Sequence, residues 1–421
     1  MLFGNTLSKA GLAAAGITKQ FATRSDQVEY RLVRGATSRE ATLPLVRDTI
    51  RTALTPTINA LGVTGIVHIP GMMTGQLLAG QTPSQAASYQ IMITFLIATT
   101  ACTTVQLVVQ LATCALVDLH NHRLVQIDWN HIDFRTKNGR PRISKILRLD
   151  SGKSKLISNP IDLRKKESLS RTSIYESGRQ IMLSSVLRQS SSAAITKSRN
   201  QSAEQGNPIL EAKSVEVPRT GLSLTMTLHK GNRLGISGRS GIGKSQILRV
   251  LAGLDATNQD FDHSGIWFNG SPISEMSMVE YRTNVCLVPQ SRPTLEGTPL
   301  AFYTEVSQFE HQRRRNIWES TAPSPIDIAT PWRLDKSAWT KSWSALSGGE
   351  AQRASLAIAL ATQPAVLLLD ESISALDEST SRLVEETLTK SGIPIIFVTH
   401  SKEQLNRFCT HQMELIFEEN T

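Results

Sequence analysis

Eight consecutive residues carry the most specific chemical pattern in this sequence of 421 residues. They read GRSGIGKS, after the apolar stretch RLGIS and before the stretch QILRVLAGL, which is typical of a helix. Glycines let successive backbone N–H groups curl around phosphate oxygens, and the N-terminus of a following helix adds positive partial charge. Lys244 can reach the β- and γ-phosphates of a nucleotide, and the Ser245 hydroxyl can ligate Mg²⁺. We therefore predict a phosphate-binding loop made of Gly238, Arg239, Ser240, Gly241, Ile242, Gly243, Lys244, Ser245 and Gln246.

Two adjacent acids end a second apolar stretch. Asp370 and Glu371 follow AVLLL, which is typical of a strand buried on both faces of a parallel sheet. Asp370 is predicted to hold Mg²⁺ directly or through water, and Glu371 to act as the general base on an attacking water. Two acids can end any buried strand, but the phosphate loop upstream favours the functional interpretation.

A third pattern, LSGGEAQR at residues 346–353, precedes a stretch rich in Ala and Leu. It resembles the LSGGQ signature of ABC-type ATPases. The resemblance implies that Ser347, Gly348 and Gly349 are offered to the γ-phosphate of ATP on a second ABC subunit, either an identical copy or a related half-transporter. It also implies ATP and Mg²⁺ as cofactors.

Further matches to this family follow in the family order. Gln290 stands in VPQSRP, Asp377 in SALD, and His400 ends IPIIFVTH. By resemblance, the catalytic residues are Glu371, His400 and Gln290, and the Mg²⁺ ligands are Ser245, Gln290 and Asp370. Asp377 is implied to communicate across the interface between two cassettes. The predicted fold is an α/β P-loop ATPase domain with a parallel-sheet core and a helical subdomain.

Two positions depart from the family pattern. ABC-type cassettes usually stack adenine on an aromatic residue of the first strand, whereas none lies between Glu211 and Leu234. Gln246 follows Ser245 where the family usually has Thr. This change weakens one hydroxyl contact to phosphate, although an amide can still donate a hydrogen bond.

The strands and helices that would position these residues are preceded by a long stretch without charged residues. Residues 52–117 contain no Asp, Glu, Lys or Arg. Since a bilayer core needs about 20 apolar residues per helix, residues 89–117 predict a spanning helix. Residues 50–69 are a weaker second candidate, and residues 70–85 predict a Gly- and Pro-punctuated loop. The first 23 residues predict a third, shorter span, with a transit-like presequence as the alternative.

Charge predicts the orientation of these helices. The chain has a formal net charge of +9, with the basic residues concentrated on both sides of the uncharged stretch. Lys and Arg flank membrane helices on the cytoplasmic side, so we expect a multi-pass integral membrane protein whose ATPase domain is cytoplasmic. The basic residues are explained by topology and by contact with membrane lipid, and no nucleic-acid partner is required.

The composition also divides the chain. We predict a partial transmembrane domain at residues 1–118, a basic Ser-rich cytoplasmic linker at 119–207 and the ATP-binding cassette at 208–421. Four widely spaced cysteines exclude a disulfide framework. Solvated positions near the membrane explain the linker histidines better than a metal site, whose candidate ligands are His120, His122, His131, Asp128 and Asp133.

The first part of the chain resembles the C-terminal part of the bacterial iron-export ABC permease family and its plant aluminium-sensitivity relatives. The resemblance lies in PGMMTGQ and YQI within residues 68–95, and in residues 29–50. Glu29 and Gly35 are similar to the coupling loop that docks on the ATPase in ABC permeases. The cassette resembles the ATPase subunit of the same systems. Such permeases have about seven spans, so additional permease helices are an expected partner.

These resemblances imply an ATP-driven ABC transporter. The expected function is export of an iron or other metal ion, or of a nucleotide sugar. The alternatives are a membrane-anchored or soluble ABC ATPase without a transport role, and a fragment of a larger transporter that retains only ATPase function. Met72 and Met73 are either soft metal contacts or ordinary apolar packing.

Overall fold

The structure is a computed structural model in which the described residues of the N-terminal and C-terminal regions belong to the same unit. The described residues are 2–63, 71–118, 123–124, 207–218, 220, 222–255, 265–315 and 323–415. Most of the predicted linker at 119–207 therefore lies outside the described residues. The candidate metal ligands His120, His122, His131, Asp128 and Asp133 lie outside them as well.

The N-terminal region is helical. Its described helices are α1 (Leu2–Leu32), α2 (Ser38–Val63), α3 (Gly71–Leu78) and α4 (Pro83–Leu116). The backbone of α1 departs from helical geometry at Arg24, where φ is −130° and ψ is 23°. The helices α1, α2 and α4 pack against one another. Buried small and apolar side chains recur every four residues along the packed faces: Ala13, Ile17 and Phe21 of α1, and Ala101, Val105 and Val109 of α4.

The helix α4 contains nearly all of the predicted span at residues 89–117. It has a mean hydropathy of 1.8 over its most apolar window, only 11% of which is buried. Several of its threonine hydroxyls donate to the carbonyl four residues earlier, as in Thr99 to Phe95 at 2.8 Å and Thr113 to Val109 at 2.8 Å. These hydroxyls therefore need no water, which suits a helix in an apolar environment.

Among the described residues, α4 is the one helix that is both long enough and apolar enough to cross a membrane. The helix α2 begins at Ser38, well before the predicted second span at 50–69, and carries charges in its first half. Residues 64–70 lie outside the described part. The expected second and third spans are therefore not confirmed.

The prediction of a loop at residues 70–85 was wrong. The helix α3 occupies Gly71–Leu78, and Pro83 is the first residue of α4. Pro83 is tolerated there because the first N–H groups of a helix have no intrahelical partner. Glycine and proline marked helix ends in this segment without excluding a short helix between them.

Two sheets form the C-terminal half. Two short strands, β1 (Val117–Asp118) and β2 (Arg123–Leu124), follow α4 in the chain and pair with each other. The strands of the two sheets are β3 (Leu210–Val217), β4 (Leu222–Leu228), β5 (Arg233–Gly238), β6 (Ile266–Phe268), β7 (Ser271–Pro272), β8 (Val285–Val288), β9 (Val366–Asp370), β10 (Ile395–Val398) and β11 (His411–Leu415). One sheet is parallel, in the order β11-β5-β10-β9-β8, and the other is antiparallel, in the order β4-β3-β6-β7.

Helices and short 3₁₀ turns surround the parallel sheet. The helices are α5 (Lys244–Leu251), α6 (Met278–Asn284), α7 (Pro299–Ser307), α8 (Glu310–Arg314), α9 (Pro325–Ala329), α10 (Gly348–Ala361), α11 (Glu378–Ser391) and α12 (Lys402–Phe408). A helical subdomain, made of α7 to α9 and the turns before α10, buries Trp332, Trp339 and Trp343. The expected parallel-sheet core with a helical subdomain is confirmed.

The parallel sheet explains why distant sequence patterns meet. Every residue of β8, β9 and β10 is buried, so these strands read as continuous apolar runs. The strands β5, β8, β9 and β10 run in one direction, and their carboxyl ends lead into the phosphate loop, Gln290, Asp370 and His400. Ligands of such sheets bind at this edge.

Candidate active site

The phosphate loop links β5 to α5, as predicted from the strand-loop-helix order. Gly243 has a φ of +109° immediately before the helix begins at Lys244. A methyl group on residue 243 would lie 2.6 Å from Thr220 Cγ2. Only glycine meets both the backbone and the packing requirements at this position.

Lys244 is directed along its own loop. Its Nζ donates to the carbonyl oxygens of Gly238 at 2.9 Å and Arg239 at 3.0 Å. Burial lowers the pKa of Lys244, and the negative charges of Glu371 and Asp370 oppose this shift. The ammonium group therefore lies within the loop that would surround a phosphate.

Ser245 and Asp370 form an oxygen-rich pair. The Ser245 Oγ donates to Asp370 Oδ1 at 3.0 Å, although the two residues are 125 positions apart. Burial raises the pKa of Asp370, the Ser245 hydrogen bond lowers it, and the neighbouring charge of Glu371 raises it further. A buried carboxylate beside a hydroxyl fits the oxygen ligands that Mg²⁺ prefers.

Glu371 lies between two other predicted residues. Its Oε1 is 2.9 Å from His400 Nε2, and its Oε2 accepts a hydrogen bond from Gln290 Nε2 at 2.9 Å. Glu371 has a φ of +47°, which is uncommon outside glycine and is often found at functional sites. The structure thus brings together all three residues predicted to be catalytic.

The signature residues form the start of α10. Ser347 caps this helix, since its Oγ accepts from the Glu350 backbone N–H at 3.3 Å and donates to Glu350 Oε2 at 2.7 Å. Hydrogen bonds from Ser347 lower the pKa of Glu350. Gly348 and Gly349 form the first turn of the helix. Within the described residues, the polar side-chain contacts of Ser347 stay inside this cap and do not reach the phosphate loop of the same chain.

Asp377 caps another helix, α11. It accepts hydrogen bonds from Ser379 Oγ at 2.6 Å and from the Thr380 backbone N–H at 2.9 Å. These hydrogen bonds hold the pKa of Asp377 well below its usual range. The remaining predicted residue, Gln246, donates from Nε2 to Asp255 Oδ2 at 2.7 Å.

Two further side chains connect these motifs, and the sequence patterns did not reveal them. Ser372 Oγ donates to the Val288 carbonyl at 2.9 Å, which links the end of β9 to the end of β8. Gln352 Nε2 donates to the Gln290 carbonyl at 3.4 Å, which links α10 to the same region. Ser372 follows the acidic pair and Gln352 lies in the signature stretch, so their proximity to known motifs was the available signal.

The end of α1, the turn that follows it and the start of α2 lie against the cassette. We call residues 24–40 the docking segment. The cross-domain polar contacts pair Arg24 with Glu296, Asp26 and Gln27 with Thr294, Glu29 with Arg249, Tyr30 with Ser355, Arg31 with Glu305, Arg34 with Leu287 and Cys286, Glu40 with Glu310, and Gln312 with Arg34.

The centre of this contact is buried. Arg34 is only 1% exposed, and its Nη1 donates to the Leu287 carbonyl at 2.6 Å. The guanidinium lies 5.0 Å from the centre of the Tyr30 ring, whose hydroxyl is hydrogen-bonded to Ser355. Gly35 has a φ of +81°, and a methyl group there would overlap the Thr283 side chain. Both Glu29 and Gly35, expected from resemblance to lie at a coupling contact, are part of this interface.

The docking segment contacts several elements that position the predicted site. Leu287 lies in β8, which leads to Gln290, and Arg249 lies in α5, which begins at the phosphate loop. Ser355 lies in α10, which begins at the signature turn, and Glu305 lies in α7 of the helical subdomain. Tyr30, Arg31 and Arg34 were not singled out by sequence, because each pairs with a residue more than 250 positions away.

Two family models match the chain. The model of an uncharacterised protein family (UPF0014) matches residues 1–116, and the ABC transporter model matches residues 222–374. A solved dimeric structure of MJ0796, a bacterial ABC transporter cassette, is similar with a TM-score of 0.40 and 22% sequence identity, over 49% of this chain and 94% of that chain.

Relatives match each half separately. The probable iron export permease protein FetB of Escherichia coli (strain K12) is 39% identical over 101 residues, which are 24% of this chain and 39% of FetB. This chain therefore spans about two fifths of the length of that permease. The phosphate import ATP-binding protein PstB of Thermotoga maritima is 32% identical over 197 residues, which are 45% of this chain and 77% of PstB. The chain belongs to the ABC transporter family, with an ABC-type ATPase cassette that follows a helical region similar to iron-export permeases.

Proposed function

We propose that this chain couples ATP binding and hydrolysis to the export of a substrate across a membrane. The observation that carries the proposal is the docking segment at residues 24–40. It belongs to the permease-like region and packs against β8, α5, α7 and α10 of the cassette. A helix that only anchored a cassette would not require buried contacts with the strand that leads to Gln290. The packing is suited to transmitting a movement of the cassette to the helices.

The arrangement around Glu371 supports hydrolysis by an activated water. The oxygen of the water attacks the γ-phosphorus, the bond to the ADP oxygen breaks, and Glu371 accepts a proton from the water. Gln290 and His400 orient the Glu371 carboxylate, and Lys244 neutralises charge on the β- and γ-phosphates.

Mg²⁺, when bound, would neutralise negative charge on the phosphate oxygens. Ser245, Asp370 and Gln290 would hold it, and the hydroxyl, carboxylate and amide oxygens of these side chains are suitable ligands. Gly238, Arg239, Ser240, Gly241, Ile242 and Gly243 would donate backbone N–H groups to the phosphates.

A second ABC subunit would complete each nucleotide site. Ser347, Gly348 and Gly349 form the N-terminus of a helix of 14 residues, and the Ser347 hydroxyl contacts only its own cap among the described residues. This N-terminus suits the γ-phosphate of ATP bound to the other subunit. Asp377 would lie near the contact between the two cassettes. The partner is an identical chain or a related half-transporter.

The membrane assignment rests on α4 and on charge. We infer a multi-pass integral membrane protein in which α4 spans the bilayer and α1 and α2 accompany it, with the cassette on the cytoplasmic side. Large side chains on α4 remain exposed, including Phe95 and Leu107. Lipid and additional permease helices, from another copy or another subunit, would cover them.

The relatives support a proposal for the substrate class. FetB is described as a probable iron export permease, which favours an iron or other metal ion for this chain. Met72 in α3 is 44% exposed and offers a soft metal contact. A nucleotide sugar is the second candidate, from the resemblance to the plant relatives.

Inside-out membrane vesicles test the proposal. ATP should drive uptake of ferrous iron or of UDP-glucose into vesicles that contain the full chain, and the Glu371→Gln protein should show no uptake. ATP hydrolysis without uptake of any tested metal ion or nucleotide sugar would favour an ABC ATPase without a transport role. Complete release of the chain by alkaline carbonate would contradict the membrane assignment.

A further inference from the structure

Four side chains form a continuous polar path from the phosphate loop to the docking segment. Gln246, beside Ser245, donates from Nε2 to Asp255 Oδ2 at 2.7 Å. Arg249 donates to the same carboxylate, from Nε to Oδ2 at 2.7 Å and from Nη2 to Oδ1 at 3.1 Å. Arg249 Nη2 also donates to Glu29 Oε1. One end of the path therefore lies at the nucleotide site and the other in the permease-like region.

The path is partly shielded from water, so its contacts are stronger than ordinary surface ion pairs. Asp255 is only 5% exposed, and the side chains of Arg249 and Glu29 are each 31% exposed. Burial disfavours the charge of Arg249, but the hydrogen bonds that Arg249 donates to Asp255 and Glu29, together with their negative charges, outweigh this effect and raise its pKa. Arg249 thus stays charged and is shared between two carboxylates.

The position of Gln246 makes this sharing relevant to the nucleotide. Gln246 and Arg249 are three residues apart on α5, so they lie on one face of the helix that begins at the phosphate loop. The Gln246 amide can donate either to Asp255 or to a phosphate oxygen of bound ATP, where the family usually has a threonine hydroxyl. The amide nitrogen carries two N–H bonds, but a move of Nε2 toward the phosphate would lengthen its 2.7 Å hydrogen bond to Asp255, so the two acceptors compete for the position of this nitrogen.

We propose that Gln246 is a positioning residue through which docking of Glu29 on Arg249 controls ATP affinity. Glu29 draws part of the Arg249 guanidinium away from Asp255, and Asp255 then retains the Gln246 amide. Without the Glu29 charge, the Arg249 guanidinium donates its hydrogen bonds to Asp255 and no longer to Glu29. The Gln246 amide is then released from Asp255 and donates to the phosphate. ATP binding and docking are therefore energetically linked, and the linkage is reciprocal. This inference rests on the proposed function.

A double-mutant cycle on the full-length protein tests the inference. The dissociation constant of a fluorescent ATP analogue is measured for the wild type, Glu29→Gln, Gln246→Met and the double variant. We expect Glu29→Gln to lower the constant about fivefold with Gln246 present, and less than twofold in the Gln246→Met background. Loss of the Glu29 negative charge also strengthens ATP binding by long-range electrostatics. This contribution is the same in both backgrounds, so it cancels when the two effects of Glu29→Gln are compared.

Glu40→Gln is the matched control. Glu40 is a docking-segment carboxylate that accepts a hydrogen bond from the Glu310 backbone N–H and is not part of this path. It should change the constant less than twofold. The inference would be overturned if Glu29→Gln changed the dissociation constant equally in both backgrounds, raised it, or left it unchanged. It would also be overturned if Glu40→Gln lowered the constant as much as Glu29→Gln does. Failure of the wild type to bind the analogue would instead contradict the proposed function. If Gln246→Met does not melt cooperatively, Gln246→Ala takes its place in the cycle.

Discussion

The helical region and the cassette treat their apolar side chains in opposite ways. In the cassette, every residue of β8, β9 and β10 is buried, and the three tryptophans of the helical subdomain are nearly inaccessible. In the helical region, Phe95, Leu107 and Leu111 of α4 are each more than half exposed. The described residues cover the apolar strands of the cassette, and Val33 of the docking segment belongs to this core, whereas they leave large apolar side chains of α4 exposed.

The two regions also differ in where their functional residues lie. The cassette places its chemistry at strand ends and helix starts, where short local patterns fix the backbone. The helical region places its specific contacts in the docking segment at residues 24–40, where buried polar groups such as Arg34 meet the cassette.

Removal of the general base should affect the cassette alone. Glu371→Gln should lower the rate of steady-state ATP hydrolysis about 100-fold or more, because general bases typically contribute that much. ATP binding should remain, since the phosphate loop is unchanged. Hydrolysis assays and binding of a fluorescent ATP analogue measure the two effects. Glu386→Gln, an exposed carboxylate on α11, is the control, and equal activity of both variants would exclude Glu371 as the base.

A charge on α4 should affect the helical region alone. Leu107 is 58% exposed, and Leu107→Lys would place a charge where we infer lipid, at a cost of about 3 kcal/mol for insertion. The amount of chain that resists alkaline carbonate should fall. Leu300→Lys in the cassette, where Leu300 is 38% exposed, should leave that amount unchanged. Equal membrane retention of both variants would argue against a spanning α4.

Loss of a buried docking contact should separate the two regions. Arg34→Met leaves the Leu287 carbonyl without its charged donor, which should weaken docking by about 2 kcal/mol. With a protease site inserted among residues 150–200, cleavage should release more cassette from membranes that carry this variant than from wild type. Arg39→Met, at an exposed arginine of the same segment, should behave as the wild type does. Equal release from all three proteins would show that Arg34 does not hold the regions together.

A smaller effect is expected at the edge of the docking segment. Glu40 accepts from the Thr37 backbone N–H at 2.8 Å and from the Glu310 N–H at 2.9 Å, so it caps a helix in each region. Glu40→Ala should lower the free energy of unfolding by about 1 kcal/mol. Thermal melting of the purified protein measures this loss. A melting temperature unchanged from wild type would mean that water replaces the cap at no cost.

The cassette was largely predictable because its patterns are local. The phosphate loop, the strand before Asp370 and the helix after Ser347 each follow from a few neighbouring residues, and the parallel sheet then joins them. The Ser347 and Glu350 cap is likewise contained in four consecutive residues. The hydrogen bonds of Glu371 with Gln290 and of Ser245 with Asp370 depend on strand order, which no local pattern contains. Only the family resemblance assigned these residues to one site.

The interface was less predictable because its pairs are distant in sequence. Tyr30 meets Ser355 across 325 positions, and no local pattern marks either residue. The helix α3 was missed because glycine and proline at its ends are equally typical of a loop. Apolar runs near residues 50–69 suggested a second span, but α2 also carries charged residues between Arg39 and Arg51, which lower its mean hydropathy.

The central claim is that the docking segment couples the two regions, and Gly35 offers the most direct test. Gly35 and Gly80 have φ values of +81° and +84°, but only at Gly35 would a methyl group meet a neighbour, Thr283 of the cassette. In inside-out vesicles, the Gly35→Ala protein should hydrolyse ATP within about threefold of wild type and lose most ATP-dependent uptake, whereas Gly80→Ala should retain both. If uptake per ATP hydrolysed is the same in the two variants, the docking segment does not couple the cassette to transport.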